Sequence, residues 1–208
     1  MKKLGSLLVM GTFAFYSCTS DDAPTVELEH EHELITTVII ELEDGEGNIE
    51  EFVAFDEDGD GADYEIEIDD IVLAANTEYT GTLEILNESE HDHDDEEEEE
   101  EEEDHHEGDN VTNEIIKENT LHQFFYTPSD ELNVTVDNLS QDDNGDVFGL
   151  DFTLTTGDVS EGSLNVTLLH ESVKPNTDIE TAGGSEDFNI DFPVFIEEGV
   201  TEVNIDIN

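Results

Sequence analysis

Phe148-Gly149-Leu150-Asp151-Phe152-Thr153-Leu154-Thr155-Thr156 sets an apolar residue against glycine, acid or hydroxyl at every second position, and Asn144-Gly145 stands just ahead of it. A period of two puts Phe148, Leu150, Phe152 and Leu154 on one face of an extended strand, and Asn-Gly is a strong hairpin signal. The same rhythm runs outward in both directions. Leu34 to Leu42 is rich in β-branched residues, and Glu43-Asp44-Gly45-Glu46-Gly47-Asn48 reads as a turn into Ile49 to Phe55. Tyr64, Ile66 and Ile68 alternate with acids, and Tyr79, Gly81, Leu83 and Ile85 keep the spacing. Phe124 to Tyr126, the group Leu132, Val134 and Val136, then Leu164, Val166 and Leu168, then Phe188, Ile190, Phe192 and Val194, and finally Val203, Ile205 and Ile207 complete the series. Asn113 to Thr120 is the one stretch that reads as a short helical turn. Roughly eight to ten short strands separated by Gly, Asp and Asn predict an all-β chain, a single antiparallel β-sandwich over residues 34–208.

Charge narrows the function. The chain has 60 Asp and Glu against 4 Lys and Arg, a formal net charge of -56. The four cations are Lys2, Lys3, Lys117 and Lys174, so past the first few residues two lysines and no arginine remain. Phosphate, nucleic acid and anionic headgroups are bound through arginine and lysine, and the composition argues against all three. Divalent cations are the partners such a surface invites.

The densest acid run lies at Glu88 to Asp109. Glu96 to Glu103 is unbroken glutamate, with His91 and His93 before it and His105 and His106 after it. Imidazole nitrogen and carboxylate oxygen together suit zinc or copper, whereas a solvated, self-repelling spacer needs acids but no flanking histidines. Both readings stand at this point. The tract, residues 88–110, is expected to be a disordered insertion at one end of the sandwich.

The start of the chain has the form of an export signal. Lys2 and Lys3 precede an apolar run, Leu4 to Tyr16, too short to span a bilayer as a mature helix, and Ser17-Cys18 follows. Residues 1–17 read as a lipoprotein signal peptide, Cys18 as the lipidated residue and residues 18–33 as an acidic tether; Phe15 and Tyr16 are bulkier than usual before such a cysteine, which leaves an ordinary signal peptide as the alternative. Cys18 is the single cysteine, so disulfides, cysteine zinc sites and dithiol redox pairs within the chain are ruled out. A lipid anchor at the outer membrane or cell surface is the localisation this implies. Thr19-Ser20-Asp21-Asp22 resembles a sorting signal for the outer face of the outer membrane.

Two smaller groups carry metal-ligand spacing. Asp56, Asp58 and Asp60 stand at positions 1, 3 and 5 of an EF-hand-like loop, with Gly61 at position 6 and Glu67 at position 12, a set of oxygens that suits calcium. The flanks read as strands, and the competing reading is a Gly/Asp turn between Phe55 and Tyr64. His30 and His32, in Glu29-His30-Glu31-His32-Glu33, project from one face if extended and could serve as auxiliary zinc ligands. His122 and His170 border apolar strand residues and read as structural histidines in place of ligands. Asp142, Asn144 and Asp146 repeat the 1, 3, 5 spacing without glycine at 6, and a hairpin turn accounts for them better.

Ile35-Thr36-Thr37-Val38, Asp58-Gly59-Asp60-Gly61, Asn76-Thr77-Glu78-Tyr79-Thr80-Gly81, Leu86-Asn87-Glu88, His122-Gln123-Phe124-Phe125-Tyr126, the stretch 149–157, His170-Glu171, Ala182-Gly183-Gly184 and Phe192-Pro193-Val194 resemble a family of small bacterial surface lipoproteins. Members sometimes carry the label of a type 1 periplasmic-binding-fold superfamily protein. The resemblance implies an exported lipoprotein and supplies no catalytic residues. That label would require strands alternating with amphipathic helices, and the periodicity of this chain is that of strands.

No nucleophile motif, Gly-rich phosphate loop or His-Glu-x-x-His is present, so the sequence reads as non-enzymatic. The expectation is a surface lipoprotein that binds zinc or copper, with calcium at the Asp56 loop, as an accessory to an outer-membrane metal-uptake receptor. A calcium-stabilised adhesion or glycan-binding module, and a structural subunit of a surface complex with the acid tract as spacer, are the alternatives. Acyl chains on Cys18 would anchor the protein stably, each buried methylene contributing about 0.8 kcal/mol. Cells fed a labelled fatty acid should therefore label the wild type and not Cys18→Ser; an unlabelled wild type would remove the anchor.

Overall fold

The computed structural model describes residues 34–57, 59, 66–89 and 109–199. Along them run β1 (Thr37–Asp44), β2 (Ile49–Phe55), β3 (Glu67–Ile68), β4 (Ile71–Ala74), β5 (Glu78–Asn87), β6 (Asp109–Asn110), α1 (Thr112–Lys117), β7 (His122–Pro128), β8 (Val134–Asp137), β9 (Asp151–Thr156), β10 (Ser160–His170), α2 (Ile179–Ala182) and β11 (Ser185–Glu197). One sheet has the order β3-β2-β1-β5-β9-β8 with β6 paired to β5; the other has the order β4-β11-β10-β7.

The period of two sets the two inner faces. Val38, Ile40 and Leu42 of β1, Tyr79, Leu83 and Ile85 of β5, and Phe152 and Leu154 of β9 turn in from the first sheet. Leu164, Val166 and Leu168 of β10 and Ile190, Phe192, Val194 and Ile196 of β11 meet them from the second. One apolar cluster joins both sets, which makes the fold the all-β sandwich expected from the alternation. The outer face of the second sheet carries its own small cluster, in which Ala182 and Ile179 of α2 cover Phe125 and Leu169.

Departures from the expected pattern have local causes. One pairing is parallel, β4 on β11 from Ile71↔Val194 to Ala74↔Glu197, where the sequence led us to expect antiparallel pairs throughout. Asp69 and Asp70 alone separate β3 from β4, so the chain changes sheets without room to reverse, and it enters beside β11 in the same direction. The strand heralded by Asn144-Gly145 begins at Asp151 rather than Phe148. Gly149 takes φ 87° beside the carbonyl oxygen of Phe124, and Phe148 and Gly149 both donate backbone N–H bonds to Ser140 O, so this stretch is used up in closing the loop. The turn itself forms, with Gly145 at φ 87° and Gln141 bridged to Val147. Asp109 and Asn110, expected in the insertion, form β6 instead. Tyr64 and the alternation at Val203, Ile205 and Ile207 lie outside the described residues.

Gly81 is part of the alternation for a steric reason. It pairs with Phe152 across β5 and β9, and the Phe152 ring lies where a Cβ on residue 81 would stand. Tyr126 also packs against that ring, centroids 4.5 Å apart, which limits its room to move aside. Gly81→Val should cost about 1–3 kcal/mol through overpacking, although valine is the better strand former. Urea denaturation checks this: a variant as stable as the wild type would mean that the Phe152 ring is free to move.

Candidate metal centre

α1 starts the segment that carries the first two functional groups. Thr112 holds its N-terminal end on β5, its Oγ1 accepting from Ile85 N at 2.7 Å and lying 3.1 Å from Ile85 O, and Ile115 is fully buried beneath. The helix ends at Glu118, whose carbonyl oxygen accepts from the backbone N–H of Leu121 at 2.8 Å and of His122 at 3.3 Å. This tight exit brings His122, the first residue of β7, back beneath Glu118.

Strand register supplies the third group. His122 lies directly opposite His170, the last residue of β10, and both continue the inner-face rows of Phe124 and Leu168. Their rings stack, with centroids 4.5 Å apart and planes 22° from parallel. His122 is 1% exposed and His170 6%. One ligand atom from each of Glu118, His122 and His170 lies within 4.8 Å of the others, a grouping of the kind that can hold a metal ion. Zinc at about 2.0–2.1 Å from its ligands separates them by about 3.4 Å in a tetrahedron, so a modest inward movement closes the set. Glu118 is the exposed member and the one free to make it.

The tautomer of His122 follows from its neighbours. Its Nδ1 stands 3.2 Å from Glu118 O, and a carbonyl oxygen only accepts, so Nδ1 carries the proton. The lone pair is then on Nε2, which is buried, has no hydrogen-bond partner among the described residues, and faces Asp187 Oδ2 at 3.7 Å. Burial lowers the His122 pKa, and the nearby His170 ring acts in the same direction. The carbonyl of Glu118 and the carboxylates of Asp187 and Glu118 oppose it without reversing it. A buried neutral imidazole, oriented by a backbone carbonyl with its other nitrogen bare, is how metal-ligating histidines are commonly held.

A second polar group steadies the same loops. Lys174 Nζ donates to Asp142 Oδ2 at 2.9 Å and to Asn119 O at 2.7 Å, and it stands 5.8 Å over the Phe148 ring. Asp142 Oδ1 meanwhile accepts from the backbone N–H of Asn144 and of Asp146, both at 2.9 Å. Burial works to raise the Asp142 carboxyl, but Lys174 and the two backbone donors outweigh it and hold the pKa below the usual carboxylate range. The carboxylate is fully used inside the hairpin, which agrees with the turn reading of Asp142, Asn144 and Asp146. Asn119 follows Glu118, so Lys174 also fixes the exit of α1.

Of the ligands expected from sequence, His30, His32, His91, His93, His105, His106, Asp58 and Asp60 lie outside the described residues, as does Cys18. Asp56 and Glu67 are described: Glu67 pairs with Phe55, the residue before Asp56. The acid tract leaves and rejoins the sandwich at one place, because Asn87 pairs with Asp109. Glu88, the first residue past β5, donates its N–H to Thr36 Oγ1 at 2.7 Å, and Thr36 and Asp187 line the same cleft of about 320 Å³. Sequence reasoning did not bring His122 and His170 together, since nothing local tells that two strand-end histidines so far apart are cross-strand partners. Glu118 and His122, four residues apart, were the one available hint.

No family model, curated protein or solved structure matches this chain.

A lowered His122 pKa makes the metal-free protein sensitive to acid in a definite direction. Above about pH 6.5 the imidazole is neutral whether the chain is folded or not, and it leaves stability unchanged. As pH falls below that value the unfolded chain binds a proton that the folded site refuses, so stability is lost until the folded pKa is reached. Urea midpoints of the metal-free protein should fall between about pH 7.5 and 5.5, and fall less in His122→Gln. Identical falls in the two proteins would show that His122 is not the group responsible.

Proposed function

We propose that this protein is an exported, lipid-anchored binder of divalent transition metal, zinc foremost and copper(II) as the second fit, and that it binds the ion in the folded sandwich at Glu118, His122 and His170. The observation that carries the reading is the buried His122 ring, its Nδ1 engaged by the Glu118 carbonyl and its Nε2 bare beside carboxylate. Two imidazoles and carboxylate oxygen form a borderline donor set that suits zinc and copper better than calcium or magnesium. The histidines of the tract, His91, His93, His105 and His106, are weaker, more labile ligands in this scheme, gathering ions near the place where the tract joins the fold. Handing metal to an outer-membrane uptake receptor is the role that fits a lipid anchor on Cys18 with such a tract. Binding, not catalysis, is the activity.

Calcium is the ion we propose for the loop Asp56, Asp58, Asp60 and Glu67. The pairing of Glu67 with Phe55 favours it, since this register draws the last ligand of the loop back toward the first.

Zinc titration calorimetry on three full-length proteins tests the main reading. His122→Gln with His170→Gln should lose one tight zinc equivalent and keep the weak ones. The four tract histidines changed to glutamine should do the reverse. If the His122/His170 variant bound zinc with the stoichiometry and affinity of the wild type, the stacked pair would be structural and the reading would fall.

A further inference from the structure

We propose that Lys174 and Asp142 condense to an amide, an isopeptide cross-link between the loop after β10 and the hairpin loop ahead of β9. Their placement meets what the reaction needs. Lys174 Nζ stands 2.9 Å from Asp142 Oδ2, and the two side chains are 6% and 0% exposed. A carbon–oxygen bond is about 1.2 Å long, so Nζ lies no more than about 4.1 Å from Asp142 Cγ, a short step from the ~3–3.5 Å contact at which reacting atoms meet.

The other carboxylate oxygen sits in a cradle. Asp142 Oδ1 accepts from the backbone N–H of Asn144 and of Asp146, both at 2.9 Å. When an amine adds to Cγ, negative charge collects on this oxygen, and two fixed N–H donors at that distance stabilise it. The turn that supplies them is already closed, with Asp142 N–H on Asp146 O at 2.8 Å and Gly145 N–H on Asp142 O at 3.0 Å. Phe148, itself buried, covers the amine with its ring centroid 5.8 Å from Nζ, so the pair reacts in an apolar setting from which water can leave.

The step balances within the pair. One ammonium proton crosses the hydrogen bond to Oδ2, which leaves a neutral amine whose lone pair points along that same line toward the carboxyl group. Nζ then bonds to Cγ, and the charge moves to Oδ1. A second proton passes from Nζ to Oδ2, the bond from Cγ to Oδ2 breaks, and Oδ2 departs as water with both protons. The carbonyl re-forms at Oδ1 between its two donors, and the single N–H left on Nζ keeps the carbonyl oxygen of Asn119, 2.7 Å away, as its acceptor. Both polar groups of the product are therefore satisfied in a buried place. The lowered Asp142 pKa makes the ion pair the resting form, so the neutral pair that reacts is the minor one and the link accumulates slowly after folding. The bond closes a ring around β9 and β10, which constrains the unfolded chain as a disulfide would, in a protein whose single cysteine can form none internally.

Mass spectrometry on the full chain tests this. The protein is held folded at neutral pH until its mass stops changing and is then unfolded and cut after glutamate; cleavage at Glu131, Glu161, Glu171 and Glu180 releases the peptides 132–161 and 172–180. The wild type should yield them joined as one branched peptide, lighter than their sum by one water, with fragment ions that place the junction at Asp142 and Lys174. Ring closure at an Asp-Gly step such as Asp44-Gly45 also sheds water, but it joins no peptides. Lys174→Arg and Asp142→Ala should give the two linear peptides, and so should wild type kept in urea throughout, because the cradle exists only in the folded chain. Linear peptides alone from folded wild type, or as much branched peptide from the urea sample, would overturn the proposal.

Discussion

The constraint on which the structure depends is that a chain with a formal charge of -56 must keep its carboxylates out of the space between two sheets. An isolated buried carboxylate is too costly to fold around, and the two lysines past residue 3, Lys117 and Lys174, cannot neutralise more than a token number. Strict alternation is the solution. On β1, Glu41 and Glu43 alternate with Ile40 and Leu42, and on β11 Asp191 stands between Ile190 and Phe192, so a one-residue slip in either strand would drive acid into the core. The charge thus does more than decorate the surface. It makes the register of each strand nearly unambiguous.

Where acid does enter, it comes with a partner. Asp142 is the case with a full set: one lysine and two backbone donors, inside a turn that Gly145 makes possible. The same lysine reaches Asn119 O, so one of the few cations in the chain joins the hairpin loop, the exit of α1 and the loop after β10. Removing one partner from such a pair typically costs about 3–5 kcal/mol, because the other charge is left buried. Lys174 is therefore spent on architecture and is not free to recruit an anionic ligand.

The strands were legible because alternation is a local property. Ile49–Phe55 is found at the bounds read from sequence, and the strands at Tyr79, Leu164 and Phe188 extend beyond their apolar cores by a few residues. β4 was not legible: Ile71-Val72-Leu73-Ala74 is a continuous apolar run with no period, and its parallel partner is set by the abrupt change of sheet at Asp69 and Asp70. α2 was hidden for a different reason, since four residues are too few to show a helical period and Asp178, which caps it through Glu180 N, looks like any other loop aspartate. The cluster of Glu118, His122 and His170 was the least legible part. Composition draws attention to histidines beside long acid runs, yet the pairing of His122 with His170 comes from register, which no residue pattern announces.

The two histidine populations differ in what fixes them, and this bears on what each can do. On the proposed reading, an ion held by the histidines of the run 88–109 must bring like charges together as it binds, which keeps affinity low. The pair at the ends of β7 and β10 is ordered by the core that ends beneath it: Phe124 and Leu168 fix the strands, the Glu118 carbonyl fixes a tautomer, and that ordering cost is already met by folding. A neutral imidazole kept neutral by burial also yields less to proton competition than one bathed in carboxylates, whose field favours imidazolium. On the proposed reading, an ion exchanging between the two would move from the acid-rich run to the sandwich, and mild acid would steepen that gradient by loosening the first before the second.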